Sequence, residues 1–178
     1  HLVCFGSNSS GQCAVPGSLE NVVSVAAGAY HTCALTAEGR LICFGFNGHG
    51  QCAVPGGLEN VVSVAAGYDH TCALTAEGHL VCFGSNGSGQ CAVPGGLENV
   101  VSVAAGNQHT CALTAEGNLV CFGWNLRGQC AVPPDMVGRV PTASCPASFL
   151  PASDGLVIDG SIEHNEPATV IDPMKQRR

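Results

Sequence analysis

Short runs of apolar, often β-branched residues alternate with glycine-rich turns along the first three quarters of the chain. In one repeat unit these runs occupy residues 21–28, 32–36, 41–44 and 51–54. Each run is followed closely by Gly or Pro, and none shows the 3.6-residue period of an amphipathic helix. The pattern predicts four short β-strands in each unit.

The pattern returns every 39 residues, and residues 40–78 match residues 79–117 at 33 of 39 positions. Four strands in about 40 residues is the size of one blade of a β-propeller. We therefore expect an all-β, partial β-propeller of about 3.4 blades over residues 1–133, followed by an irregular C-terminal tail.

The turn between the second and third strands predicts their register. The sequence Ala-Glu-Gly at 37–39 suits a type I turn with Gly39 in the left-handed bulge position. This turn places Cys33 opposite Cys43. Cysteine and leucine then share one face of the hairpin, while alanine, isoleucine and phenylalanine share the other. Because both faces are apolar, the sheet must be covered on both sides, as it is between two blades.

One recurring sequence carries a family resemblance. Val-Ala-Ala-Gly-x-x-His-Thr-x-Ala-Leu-Thr-x-x-Gly-x-Leu-x-x-Phe-Gly-x-Asn-x-x-Gly-Gln resembles the repeat of the regulator of chromosome condensation superfamily. Gly-Gln-Cys-Ala-Val-Pro at 50–55, with Leu58 after it, is similar to the short repeats of the bacterial β-lactamase inhibitory propeller. Superfamily members are usually seven-bladed rings. The resemblance therefore implies that the chain is part of a longer array or self-associates through open edges.

The charge and the missing motifs limit the classes of function. The chain has 13 Asp and Glu against 6 Lys and Arg, a net charge of −7, and Lys175 as its single lysine. Proteins bind nucleic-acid phosphates through clustered Lys and Arg side chains, and this chain has no such cluster. No nucleic-acid partner is therefore expected. No apolar run approaches the roughly 18 residues of a membrane span, so no membrane partner is expected. Sequence motifs of catalytic, phosphate-binding and metal sites do not occur, which predicts a non-enzyme without a cofactor.

Twelve cysteines allow three interpretations. The favoured one treats them as small buried core residues of a cytoplasmic protein. Directly opposed strand residues also lie within disulfide range, which would suit a secreted protein. The candidate disulfides are Cys33 with Cys43, Cys72 with Cys82, and Cys111 with Cys121. Metal binding is the third interpretation, although the Cys-x9-Cys and Cys-x8-Cys intervals differ from the Cys-x2-Cys pairs of zinc modules.

A histidine precedes Thr-Cys in every full unit, at His31, His70 and His109. A catalytic histidine is normally unique in a chain. We therefore expect a structural role, with a ring nitrogen hydrogen-bonded to a neighbouring backbone group. The superfamily repeat has the same histidine in its pattern.

The units differ mainly in two loops, one after the first strand and one after the third. The variation is either neutral drift at tolerant sites or the presentation of varied side chains by a fixed scaffold. Tyr, Trp and Arg are enriched in interface hot spots, which favours binding. In the inhibitory propeller that the chain resembles, such loops form the binding face. The candidate partner-binding residues are Tyr30, Phe46, His49, Tyr68, Asp69, Asn107, Gln108, Trp124 and Arg127.

The expected function is a non-catalytic protein–protein interaction module. The resemblance adds two alternatives, because fold alone does not select a function. One is guanine nucleotide exchange on a small GTPase, as in the founding family member, and the other is inhibition of a secreted hydrolase such as a β-lactamase. Residues 134–178 are rich in Pro and Ser and are predicted to form a linker and tail, either disordered or the start of a further domain.

Overall fold

Three antiparallel β-sheets follow one another along the chain in a computed structural model that describes residues 2–134. We call residues 22–45, 61–84 and 100–123 blades 1, 2 and 3. Each blade contains three strands in sequence order, so the molecule is an open, partial propeller. The strands are β1 (Val22–Ala27), β2 (His31–Thr36), β3 (Leu41–Gly45), β4 (Val61–Ala66), β5 (His70–Thr75), β6 (Leu80–Gly84), β7 (Val100–Ala105), β8 (His109–Thr114) and β9 (Leu119–Gly123). The predicted tail lies outside the described residues.

The hairpin between β2 and β3 has the predicted register. Cys33 lies opposite Cys43, and Gly39 adopts the expected left-handed conformation with a φ of 74°. A Cβ atom at Gly39 would also lie 3.2 Å from the Cα atom of Asn60 in the next unit. Glycine is therefore required here both by the turn and by the neighbouring blade.

The predicted fourth strand is wrong. Residues 51–54 form consecutive tight turns, in which the Ala53 amide donates to the Gly50 carbonyl and the Val54 amide to the Cys52 carbonyl, both at 3.0 Å. These local bonds occupy the backbone groups that a strand would offer to a sheet. Each described blade therefore has three strands rather than four.

The blades stack face to back, as the two apolar faces of the hairpin predicted. Cys33, Leu35 and Leu41 of blade 1 pack against Ala73 and Phe83 of blade 2. The contact between blades 2 and 3 repeats this arrangement. Burial of this apolar surface is the main driving force for stacking.

A hydrogen-bonded relay crosses the same interface. His31 Nε2 lies 2.9 Å from the Thr71 hydroxyl, and that hydroxyl donates to the Gln51 carbonyl at 2.8 Å. A hydroxyl has one proton to give, so Thr71 must accept from an Nε2–H of His31. The geometry thus assigns the tautomer of the ring. His70, Thr110 and Gln90 repeat the relay between blades 2 and 3. The predicted structural role has a different partner: a threonine hydroxyl of the next blade replaces the expected backbone group.

The second ring nitrogen of each relay histidine receives no hydrogen bond. Nδ1 of His31 and Nδ1 of His70 are buried without a hydrogen-bond partner. Desolvation, and secondarily the charge of the next histidine, lowers the pKa of each ring from 6.5 to about 4. Protonation would bury a charge and leave an N–H group without a partner.

Blade stacking should weaken in acid. The pKa of His31 and His70 is lower in the folded protein, so the unfolded chain binds protons first as the pH falls. We expect full stability above about pH 6.5 and a progressive loss between about pH 6.5 and 4, measured by urea unfolding at successive pH values. The exposed His79 has Asn118 at the equivalent position of blade 3, so the variant His79→Asn removes a histidine outside the relay. This control variant should show the same pH dependence as the native chain. An unchanged free energy of unfolding across this range would contradict the relay.

Two kinds of cysteine position recur in the repeats that the structure describes. Cys33 and Cys43, Cys72 and Cys82, and Cys111 and Cys121 are opposed across β-hairpins, with Cα atoms 4.0 to 4.1 Å apart and sulfurs placed as disulfides. Cys52 is different, because its thiol donates to the Phe46 carbonyl at 3.3 Å. Burial raises the pKa of Cys52, and of the equivalent Cys91 to about 11, so these thiols are poor nucleophiles.

Mild oxidation should therefore act on the hairpin pairs and leave Cys52 and Cys91 free. After exposure to oxidised glutathione, we expect the six cysteines of the opposed pairs to lose reactivity towards iodoacetamide under denaturing conditions. Cys52 and Cys91 should still react with iodoacetamide, because no second sulfur is bonded to either. Peptide mapping by mass spectrometry distinguishes the sites. Twelve reactive thiols after oxidation, or blocked Cys52 and Cys91, would contradict disulfide pairing.

Candidate protein-binding edge

The two variable loops of each blade lie at the same edge of its sheet. The strands are antiparallel, so the ends of the first and third strands meet at the start of the second. The Phe46 amide donates to the Tyr30 carbonyl at 2.8 Å and ties the loops together. The same bond joins Ser85 to Asp69 and Trp124 to Gln108. We call this edge, formed by residues 29–30, 46–49, 68–69, 85–88, 107–108 and 124–127, the variable edge.

Four aromatic side chains meet on the variable edge between blades 1 and 2. The ring of Tyr30 lies 5.3 Å from that of Tyr68 and 6.4 Å from that of Phe46, both in edge-to-face geometry. Phe46 in turn lies 6.1 Å from the His49 ring. The two tyrosine hydroxyls are 3.1 Å apart, and this hydrogen bond raises the pKa of Tyr68. We call Tyr30, Phe46, His49 and Tyr68 the aromatic cluster.

A carboxylate borders the aromatic cluster. Asp69 Oδ1 accepts a hydrogen bond from the Gln51 side-chain amide at 2.9 Å, and Oδ2 lies 3.8 Å from His49 Nε2. The Asp69 side chain is 20% exposed. Five of the nine candidate residues predicted from the sequence are therefore brought together at one site.

The other four candidates lie on the variable edge of blade 3. Gln108 accepts from the Ser88 hydroxyl at 3.1 Å, and Asn107 and Arg127 are exposed. Trp124 is half-buried. Within residues 2–134, none of these side chains has a ring or hydrogen-bond contact with the aromatic cluster. Blade 3 thus presents a separate part of the same edge, on which Leu126 is also exposed.

One residue that positions the loop was missed in the sequence. Gln51 is fully buried, and its side-chain oxygen accepts from the His49 amide at 3.0 Å while its nitrogen donates to Asp69. Asn47 supports the same loop by accepting from the Cys52 amide at 2.8 Å. The available signal was the Asn-x-x-Gly-Gln sequence, which recurs unchanged while the residues between its ends vary. The invariant ends hold a loop whose middle differs from blade to blade.

The opposite edge of the sheets is polar and acidic. An open cavity of about 280 Å³ is lined there by Asn21, Glu38 and Arg40 among others. Hydrogen bonds from Thr36 and Asn21 lower the pKa of Glu38. This surface repeats in blade 2, where Asn60 donates to Glu77 at 3.1 Å. The opposite edge therefore offers matched control positions.

The described residues contain no cluster of three His, Cys, Asp or Glu side chains that could hold a metal ion. A helix long and apolar enough to cross a membrane is likewise absent from residues 2–134.

Comparison with solved structures places the fold among known propellers. Prp20p from Saccharomyces cerevisiae is 26% identical to this chain, with a TM-score of 0.57. The match covers 68% of this chain and 35% of Prp20p, whose structure was studied together with its binding properties to Gsp1p and histones. The ectodomain of the Physcomitrella patens receptor kinase CR4 is 29% identical with a TM-score of 0.52, over 59% of this chain and 29% of that one. Human WBSCR16 has the same fold at 23% identity and a TM-score of 0.58, over 68% of this chain and 42% of its own. The chain thus spans less than half the length of these proteins.

The family profile described as the regulator of chromosome condensation (RCC1) repeat matches residues 22–51, 61–90 and 100–129. A search of curated proteins found no significant match to the sequence. The narrower similarity to the β-lactamase inhibitory propeller stays a prediction. Since the three matches together cover half of the chain and coincide with the three blades, this protein belongs to the RCC1 repeat family.

Proposed function

We propose that this chain is a non-catalytic protein-binding module whose partner contacts the variable edge. The observation that carries the proposal is the convergence of differing side chains on one edge of otherwise nearly identical blades. Tyr30 and Tyr68 are the only tyrosines in the chain, and they touch each other there. Tyrosine is enriched at the energetic centres of protein interfaces.

The loops of the variable edge are fixed before any partner binds. Gln51 and Asn47 hold the loop after β3, and backbone hydrogen bonds join that loop to Tyr30. A preformed site loses little conformational entropy on binding.

A small GTPase is the second candidate for the partner. The supporting observation is the similarity to Prp20p, a protein studied for its binding to Gsp1p and histones. This chain spans 35% of the length of Prp20p, so the activity of the whole relative is a separate proposal. Cytoplasmic location belongs to the same proposal, with secretion as the alternative if the hairpin cysteines are oxidised in the native protein.

Blade-matched substitutions test the variable edge without disturbing the fold. The variant Phe46→Ser, His49→Ser, Tyr68→Asn and Asp69→Gln replaces each side chain by the residue that stands at the equivalent position of another blade. We expect this variant to have the melting temperature of the native chain. Its affinity for the partners that the native chain captures should be at least tenfold lower. Quantitative mass spectrometry of proteins captured in parallel provides the comparison.

The control carries Glu38→Gln and Glu77→Gln on the opposite edge, where both carboxylates are exposed. It should capture the same proteins as the native chain. Equal capture by the variable-edge variant, or an equal loss in the control, would contradict the proposal. The second candidate is tested with purified small GTPases as the only proteins offered for capture. It predicts that the native chain binds one of them and that the variable-edge variant does not.

A further inference from the structure

We propose that the aromatic cluster and Asp69 together bind an arginine side chain of the partner protein. The guanidinium group would lie against the tyrosine rings and pair with the carboxylate. This inference rests on the proposed function and names the chemistry that the variable edge recognises. It concerns blades 1 and 2 alone, because blade 3 has Asn107 and Gln108 where blade 2 has Tyr68 and Asp69.

The ring geometry fits a planar cation. Tyr30 and Tyr68 are nearly perpendicular, with an interplanar angle of 88°, and Phe46 meets Tyr30 at 73°. Rings set in this way offer a π-face beside a ring edge, and cations bind to aromatic faces within about 6 Å of the ring centroid. The hydrogen bond between the tyrosine hydroxyls fixes the two rings across the blade boundary. The cluster is therefore ordered in advance of a ligand.

The carboxylate supplies the charge that selects a cation. Asp69 carries the only formal charge at this site when histidine is neutral, and its side chain remains partly exposed. Gln51 uses one of its oxygens, but a carboxylate can accept several hydrogen bonds. The second oxygen of Asp69 faces His49 Nε2 at 3.8 Å, which is too long for a hydrogen bond. Among residues 2–134, no Lys or Arg forms an ion pair with Asp69, so this oxygen can accept from a partner's cation.

Arginine suits this site better than an apolar or acidic group. An apolar partner would bury Asp69 without an opposite charge, and an acidic partner would be repelled by it. Guanidinium combines stacking on aromatic rings with planar hydrogen bonding to a carboxylate, whereas the lysine ammonium is a more strongly hydrated point charge. The partner should therefore present an exposed arginine at the centre of its contact surface.

The chain contains its own spectroscopic reporters. Tyr30 and Tyr68, its only two tyrosines, both belong to the cluster, and Trp124, its only tryptophan, lies on blade 3. In the full chain labelled with ¹³C-tyrosine, N-acetyl-arginine amide titrated into the millimolar range should shift both tyrosine ring signals saturably. N-acetyl-citrulline amide, which has the same shape without the charge, should produce at most a fifth of the shift at equal concentration. The indole signal of Trp124 should stay constant.

The variant Asp69→Gln is the matched test, because glutamine stands at the equivalent position of blade 3. It should weaken arginine binding at least fivefold while leaving the Trp124 signal in place as evidence of folding. Equal shifts with arginine and citrulline, an unchanged affinity in Asp69→Gln, or no tyrosine shift would overturn the inference. If partner capture still depends on the variable edge in that case, the protein-binding proposal stands and the arginine chemistry alone fails.

Discussion

The relay from histidine to threonine to backbone carbonyl is the interaction on which the remaining structure depends. Each three-stranded sheet is apolar on both faces, so a blade is stable only against a neighbour. Apolar burial brings the blades together without fixing their relative position, since it has no direction. The relay supplies a buried, directional contact, because His31 reaches Thr71 only when blade 2 sits in one register on blade 1. Two backbone hydrogen bonds at the rim of the interface, from the Ala29 amide to the Gly67 carbonyl and from the Val61 amide to the Gly39 carbonyl, support the same register. Stacking and register thus come from different forces acting at one interface.

The relay also determines where the variable side chains project. His31 directly follows Tyr30, and His70 directly follows Asp69, so each anchored histidine holds the base of a variable loop. Gln51 contributes from both sides, because its backbone carbonyl ends the relay while its side chain supports Asp69. The strands and relay can therefore stay the same from blade to blade while the exposed side chains change. The structure thus separates a fixed scaffold from a varied edge.

Local features of the structure were largely predictable from the sequence, and contacts between repeats were not. The β2–β3 register followed from a single turn, since Gly39 permits a left-handed conformation that fixes which residues face each other. The prediction of a fourth strand was wrong because the backbone groups of residues 51–54 form hydrogen bonds within turns. An apolar run in the sequence does not distinguish such turns from a strand. The partner of His31 lies 40 residues away on another blade, beyond any local pattern. Tyr30 and Tyr68 occupy different positions of their units, so their contact required the geometry of stacking.

A comparison of two threonines tests the relay most directly. Thr71 and Thr32 both donate to a backbone carbonyl at 2.8 Å, but among the described residues only Thr71 of the two accepts from a histidine. The substitutions Thr71→Val and Thr32→Val therefore each remove a bond to a backbone carbonyl 20 residues earlier, and only Thr71→Val also removes a bond to a histidine of the preceding blade. Urea unfolding of both variants should show that Thr71→Val lowers the free energy of unfolding by about 1 to 3 kcal/mol more than Thr32→Val does. Equal losses in the two variants would contradict the account, because the blades would then be held in register without the relay.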